Sequence, residues 1–265
     1  MNQIDLSRAL KAFFEDKEWL NKTLFGFLWI LLGVTAPAAY GAQVNYIKKV
    51  SEGDETLTAW DDFGGLWVKG FLVGVAGFIY FLPIILGGAI LFVPALIAGV
   101  SSGGESNALG AMLAGGSCLF VVFAIVYGIA VSVFFSAAVT NYAMKGSFGA
   151  LFEFGEIMGK IRGGTGYFNA WLWALVIGLI GSTVTGALSA TGVGAIATPA
   201  VSYFMLMASG HVFGQWAMRA YGRPAAPTAY PAPAYQPPAG TYAPPEGTYA
   251  PPAPPAPPAP PAPPS

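Results

Sequence analysis

The chain has 265 residues, 55% of them hydrophobic and only 9% charged, and its formal net charge is -1. Soluble domains carry about 25% charged residues, so this deficit, with apolar runs long enough to span, places the chain in the membrane class. The near-neutral balance indicates no nucleic-acid partner, and a single cysteine, Cys118, excludes an internal disulfide framework or a cysteine-based zinc site.

The start carries no cleavable signal pattern: Asp5, Arg8, Lys11, Glu15, Asp16, Lys17, Glu18 and Lys22 crowd residues 1–22. Residues 4–18 suit an amphipathic helix, with Leu6, Leu10, Phe13 and Phe14 on one stripe. Such a helix packs on protein or lies in the headgroup region, and the apolar segments that follow favour the headgroup region. The first apolar stretch runs from about Thr23 to Ile47, with Pro37 in its middle and lysines on both flanks. A polar loop, residues 51–56, leads to Trp60-Asp61-Asp62-Phe63-Gly64, read here as the start of a short helix lying flat on the membrane.

Phe71–Val100 is the second apolar stretch. Thirty helical residues reach about 45 Å against a hydrocarbon core of about 30 Å, so the helix must tilt, kink or protrude. Pro83 and Pro94 are the expected kink sites, and Gly70 and Gly74 form a small-xxx-small pair. A loop at 101–107 returns the chain into a third stretch, about Ala108–Ala143. There Cys118 lies in Gly116-Ser117-Cys118-Leu119-Phe120, which predicts a packed thiol. A second copy of the interfacial motif follows, Phe152-Glu153-Phe154-Gly155, with Glu156 and Lys160 spaced for an i, i+4 pair. Gly163-Gly164-Thr165-Gly166 reads as a flexible link into two further spans, about Tyr167–Leu188 and Val193–Ala220, joined at Ser189–Gly192. Of the 22 prolines, all but Pro37, Pro83, Pro94 and Pro199 fall in the tail 223–265, which predicts a disordered, polyproline-type spacer.

Three apolar stretches end alike, in an amide, an aromatic and then a base: Asn45-Tyr46 before Lys48, Asn141-Tyr142 before Lys145, Gln215-Trp216 before Arg219. This suggests three related units, about 1–50, 60–145 and 151–220, within a membrane domain 1–222. No Lys or Arg occurs between 70 and 144 or between 163 and 218. Cytoplasmic loops carry the excess of these residues. If residues 23–47 crossed as one helix, the basic 48–69 segment would lie outside, against that rule. A stretch that dips in and returns near Pro37 puts every basic segment, and both termini, on the cytoplasmic side. The expected fold is therefore an all-α integral membrane protein. It has four full transmembrane helices, an N-terminal re-entrant or interfacial hairpin, and amphipathic interfacial helices in a repeated unit. A re-entrant bend needs protein around it to shield its backbone.

Three pieces of the chain resemble a known family, the multi-pass membrane proteins catalogued as domain of unknown function 4013. They are Phe14-Glu15-Asp16-Lys17-Glu18-Trp19-Leu20, Trp60-Asp61-Asp62-Phe63-Gly64 and His211-Val212-Phe213-Gly214-Gln215-Trp216. The resemblance covers roughly residues 4–222. It implies a helical membrane protein and no particular activity, so it supplies no catalytic residues.

His211 is the sole histidine, with Gln215 one turn on and on the same face. An ionisable side chain at membrane depth hints at function; the plainer reading is a neutral imidazole hydrogen-bonded across helices, to Gln215 or a nearby Ser. Asp61 and Asp62 are adjacent and diverge on a helix, so they make no paired-carboxylate site. The chain shows no nucleophile–base set, phosphate loop or metal signature, and hence no expected cofactor, metal or catalytic residue. The expected function is a non-enzymatic scaffold or regulatory component of the cytoplasmic membrane. Its partners are the lipid bilayer and, through the proline-rich tail, a cytoplasmic protein. The alternative is a small-solute transporter or channel.

Overall fold

The computed structural model describes residues 4–101 and 107–222. The loop core at 102–106 and the proline-rich tail from 223 lie outside the described residues. The described residues form eight α-helices and two short 3-10 segments, with no strand among them.

The first apolar stretch does turn back. It forms α2 (Trp19–Leu31) and α3 (Ala36–Glu52), joined by a tight bend. Gly33 takes a left-handed φ of 69°, which a side chain would resist. The Thr35 hydroxyl donates to the Trp29 carbonyl at 2.8 Å, satisfying one of the carbonyls left over at the end of α2. Pro37 sits in the first turn of α3, where its missing N–H is harmless. At 13 and 17 residues, the two helices reach about 20 and 26 Å, short of a 30 Å hydrocarbon core. Their outer ends are tied together. Leu57 N–H donates to Asp16 Oδ2 at 2.8 Å, Lys22 Nζ donates to the Leu57 carbonyl at 3.1 Å, and Trp60 Nε1 donates to the Lys22 carbonyl at 3.0 Å. The chain enters and leaves the hairpin at one place.

Protein shields this hairpin on two sides. Ala38, Ala39, Gly41 and Ala42 are buried, and small residues let backbones approach closely. A Cβ on Gly41 would overlap the Leu66 carbonyl of α4 (Phe63–Ser101), and one on Gly70 would overlap the Pro37 carbonyl. On the other side, Gly214 of α8 (Thr198–Ala220) rests against Val50, and Gly210 against Gln43 and Tyr46.

Helix α4 pairs antiparallel with α5 (Asn107–Lys145): Gly77 meets Phe135, Gly87 meets Phe120, and Gly116 meets Leu91. Each has 39 residues, about 58 Å of helix, so the excess length expected of the second stretch is real. Pro83 and Pro94 lie inside α4, which continues through both. The Tyr127 hydroxyl donates at 2.9 Å to the Tyr80 carbonyl, in the turn that Pro83 weakens. A second hairpin joins α7 (Tyr167–Ala190) to α8 through Gly192, whose φ is 68°, and the 3-10 segment Val193–Ala197. Four stretches are long and apolar enough to cross a bilayer: Phe63–Pro94, Gly116–Lys145, Tyr167–Ala190 and Gly194–Ala220. The chain is an all-α membrane protein.

Several local expectations are corrected. The stripe of α1 (Leu6–Glu15) is shared between protein and surface: Phe13 is buried with its ring 4.8 Å from that of Phe204 in α8, Leu6 and Leu10 are half-buried, and Phe14 is exposed. Trp60–Asp62 is a turn and Phe63 opens α4 directly, because no break separates Lys69 from the apolar run. The second motif copy instead starts a separate nine-residue helix, α6 (Phe154–Arg162), ended by the glycines that follow. Cys118 is exposed on α5. Gly163–Gly166 is a held turn, not a slack link: Trp216 Nε1 donates to Thr165 Oγ1 at 2.9 Å.

Candidate functional site

One cluster of polar groups lies where α1, the 53–58 loop and α8 meet. His211 is fully buried on α8. Its neighbour one turn on, Gln215, holds the N-cap residue of α1 by two bonds. Asp5 N–H donates to Gln215 Oε1 at 2.8 Å, and Gln215 Nε2 donates to the Asp5 carbonyl at 2.9 Å. A backbone N–H only donates, so this clamp fixes which end of the Gln215 amide is oxygen. Nε2 therefore faces His211 Nδ1, 3.0 Å away, and Nδ1 accepts. The proton of the neutral ring then sits on Nε2, which points at Glu55 Oε1 across 3.6 Å, too far for a hydrogen bond. The i, i+4 spacing thus brings Gln215 and His211 within hydrogen-bond distance on one face of α8.

Sequence reasoning missed what surrounds it. Arg8 of α1 forms ion pairs with Glu55 and, at 2.9 Å, with Glu15. Hydrogen bonding and proximity to Glu55 raise the Arg8 pKa further. Tyr46 of α3 donates to the Glu55 carbonyl at 3.2 Å. Asp16 sits close by, and a cavity of about 480 Å³ is lined by Arg8, Glu15, Asp16, Asp54, Glu55 and Thr56. Burial pushes the Asp16 pKa up, but the Lys22 ammonium and the backbone N–H groups of Glu18 and Leu57 outweigh it and hold it below 3.8. Nothing in the spacing of Arg8, Glu55 and His211 signals their meeting; it depends on the hairpin bringing 53–58 back beside α1. Among the described residues, no three of His, Cys, Asp and Glu converge as metal ligands would. Arg8 is shared between Glu15 and Glu55, and Asp5 caps the Arg8 N–H, which makes the cluster a clasp.

The other singled-out residues fall in two separate places. Trp60, Phe63 and Trp29 pack together, with Trp60 also 5.9 Å from Tyr203. Asp62 Oδ1 accepts from Gly65 N–H at 2.9 Å, a first-turn cap for α4, while Asp61 and Gly64 are exposed. On the far pair of helices, Phe152 stacks on Tyr80 at 5.6 Å and Phe154 on Phe134 at 5.2 Å. Gly155 has open space where a Cβ would go. The expected Glu156–Lys160 pair does not form. Lys145 bonds both Glu153 and Glu156. Lys160 Nζ instead donates to the Ala220 carbonyl at 2.8 Å, over the Tyr221 ring. Competition from a lysine on another helix is invisible to local spacing.

The three matching exits share a job. Asn45 Oδ1 accepts from Lys69 Nζ at 2.7 Å. Asn141 donates to the Ala150 carbonyl at 2.9 Å and accepts from the Tyr221 hydroxyl at 2.7 Å. Gln215 clamps Asp5. Each amide stitches the polar end of its helix to a different segment.

A family model described as protein of unknown function (DUF4013) matches residues 24–190. It takes in the Trp60–Gly64 motif and Glu55 but ends before His211. No curated protein and no solved structure matches the chain.

Proposed function

The chain belongs to the protein of unknown function family DUF4013, and we propose that it is a non-enzymatic scaffold or regulatory component of the cytoplasmic membrane. One observation carries this reading: the charges where α1 meets the 53–58 loop pair with one another. Arg8 pairs with Glu15 and Glu55, and Gln215 bonds His211 and Asp5, which leaves no nucleophile beside a free base among the described residues. In this reading all basic segments, and both termini, face the cytoplasm. The ties between residues 16–22 and 57–60 support that arrangement, because they return the chain to the side it came from. The tail from 223 then offers proline-rich sequence to cytoplasmic domains with aromatic grooves. Crosslinking in intact cells, comparing the full chain with one ending at Gly222, tests the docking role. A defined partner captured only by the full chain is expected; identical crosslinks from both chains remove that role.

The second reading, a small-solute transporter or channel, draws on the α2–α3 hairpin, since broken and re-entrant helices recur in transporters. Against it, residues 70–101 and 107–144 hold no charged side chain to frame a midplane site. Flux through proteoliposomes that His211→Ala abolishes would favour this reading over the scaffold.

A further inference from the structure

His211 is the only histidine of the chain, and hydrogen-bond polarity ties its protonation to the seating of α1 on α8. We propose that Asp5, Gln215 and His211 form a pH-sensitive clamp, in which a proton on His211 Nδ1 frees the N-terminal end of α1. Donors and acceptors leave one arrangement. Asp5 N–H needs an acceptor and takes Gln215 Oε1, while the Asp5 carbonyl needs a donor and takes Gln215 Nε2. The second hydrogen of Nε2 is left for Nδ1, 3.0 Å away. A protonated Nδ1 brings a hydrogen of its own, so two donors face each other across that distance. Turning the amide over gives the ring an acceptor, but it sets Oε1 against the Asp5 carbonyl and Nε2 against Asp5 N–H. The ring is fully buried, so bulk water cannot take the extra hydrogen. The clamp holds only the neutral imidazole.

The groups around the ring bring its protonation within reach. Glu55 Oε1, 3.6 Å from Nε2, supplies a counter-charge and Asp5 adds to it, while Arg8, paired with Glu55, opposes it. Tyr46 faces the ring from α3, and burial raises its pKa, so the phenol stays neutral. Of the other helices packed on α8, α7 carries no charge, and the single charges of α2 and α5, Lys22 and Lys145, are taken by carboxylates. Nε2 bears its proton in both forms, so the change falls on Nδ1. The freed state binds one proton more than the clamped state. The clamp is therefore firm above the range in which imidazole titrates and weakens as pH falls through it. Phe13 stays against Phe204 and Arg8 on Glu55, so release is confined to the start of α1. The clamp goes beyond the scaffold reading and would work alike in a transporter.

The test uses the purified full chain in nanodiscs. With nitrogen-labelled histidine, one imidazole gives the whole magnetic-resonance signal, and at about pH 8 its proton should sit on Nε2. Hydrogen exchange of the first turn of α1, referred to the rate of unstructured amides at each pH, is the second readout. Protection there should fall about tenfold between about pH 8 and about pH 5, the size of losing one or two ordinary hydrogen bonds, while α7 stays level. Gln215→Met keeps the side-chain length and removes the amide, so its α1 should show the low protection at every pH. His211→Phe keeps a ring that takes no proton and should remove the pH dependence. A proton on Nδ1 at about pH 8, or α1 protection that is level or rises as pH falls, overturns the proposal. So does a His211→Phe or Gln215→Met chain that keeps the pH profile of the unaltered one. Protection lost from α1 and α7 in step also overturns it, since that marks general unfolding.

Discussion

Asp16 shows how much one side chain carries here. It accepts from the Lys22 ammonium at 2.9 Å, from Leu57 N–H at 2.8 Å and from Glu18 N–H at 2.7 Å, and so closes the mouth of the hairpin. Asp16→Ala would strand a nearly buried ammonium and a buried N–H, and breaking such a pair costs about 3–5 kcal/mol. Thermal unfolding in detergent should show this as a large drop in Tm. The sign of the pH effect follows from the depressed pKa. A carboxylate ionised more readily when folded adds stability above its ordinary value of 3.8, and that stability is lost as pH falls through the lower folded value. Asp16→Asn should flatten the loss of stability below about pH 4; an unchanged acid limb would show that other carboxylates govern it. Gln215→Leu should also destabilise, by about 1–3 kcal/mol, because Asp5 N–H loses its acceptor and His211 Nδ1 its donor. Protection of the α1 amides in hydrogen exchange should fall with it. Of these residues, His211 and Gln215 were legible in the sequence because their contact is local, at i, i+4. Asp16, Glu55 and Arg8 looked like ordinary solvated charges, since their partners lie across a bend that spacing cannot measure.

At the scale of elements, the close crossing of α3 and α4 decides which glycines matter. Gly70 and Gly74 stand one turn apart and read alike as a small-xxx-small pair. Only Gly70 meets backbone; a Cβ on Gly74 would meet nothing within 4 Å. Gly70→Ala should push α4 off Pro37 and lower stability by about 1–3 kcal/mol, the usual range for overpacking. Gly74→Ala should be neutral or stabilise by roughly 0.5–1 kcal/mol, since alanine is the better helix former. Paired melting curves of the two variants decide it, and equal losses would contradict the crossing described. The helices were readable from apolar length, from Pro37 and from the turn at Ser189–Gly192; Gly33 was not. Their interruptions were less so: the Trp60 motif and the Phe152 motif look like copies, yet one runs on into α4 while glycines end the other after nine residues. A motif sets the chemistry of a membrane boundary, and the residues after it decide whether the helix continues.

Within residues 4–222, two antiparallel pairs, α4–α5 and α7–α8, hold a short hairpin wedged against α4 and α8. Such a wedge is stable in a bilayer only if its backbone is covered, and α4 and α8 cover α3 on opposite sides through Gly41, Gly70, Gly210 and Gly214. The same geometry makes a prediction about faces. If the hairpin returns to its own side, the ends of α3 and α5 share a face, and the α7–α8 turn lies on the other. Cysteines placed at exposed Glu52, Ser147 and Thr191 in a Cys118→Ser background report this directly. A membrane-impermeant maleimide added to intact cells should label Thr191→Cys and spare Glu52→Cys and Ser147→Cys, and opening the cells should expose both. Labelling of Glu52→Cys from outside would mean that residues 23–47 cross. The ties of Asp16 and Lys22 to Leu57 would then join segments on opposite sides of a hydrocarbon layer about 30 Å thick, which no side chain can reach across.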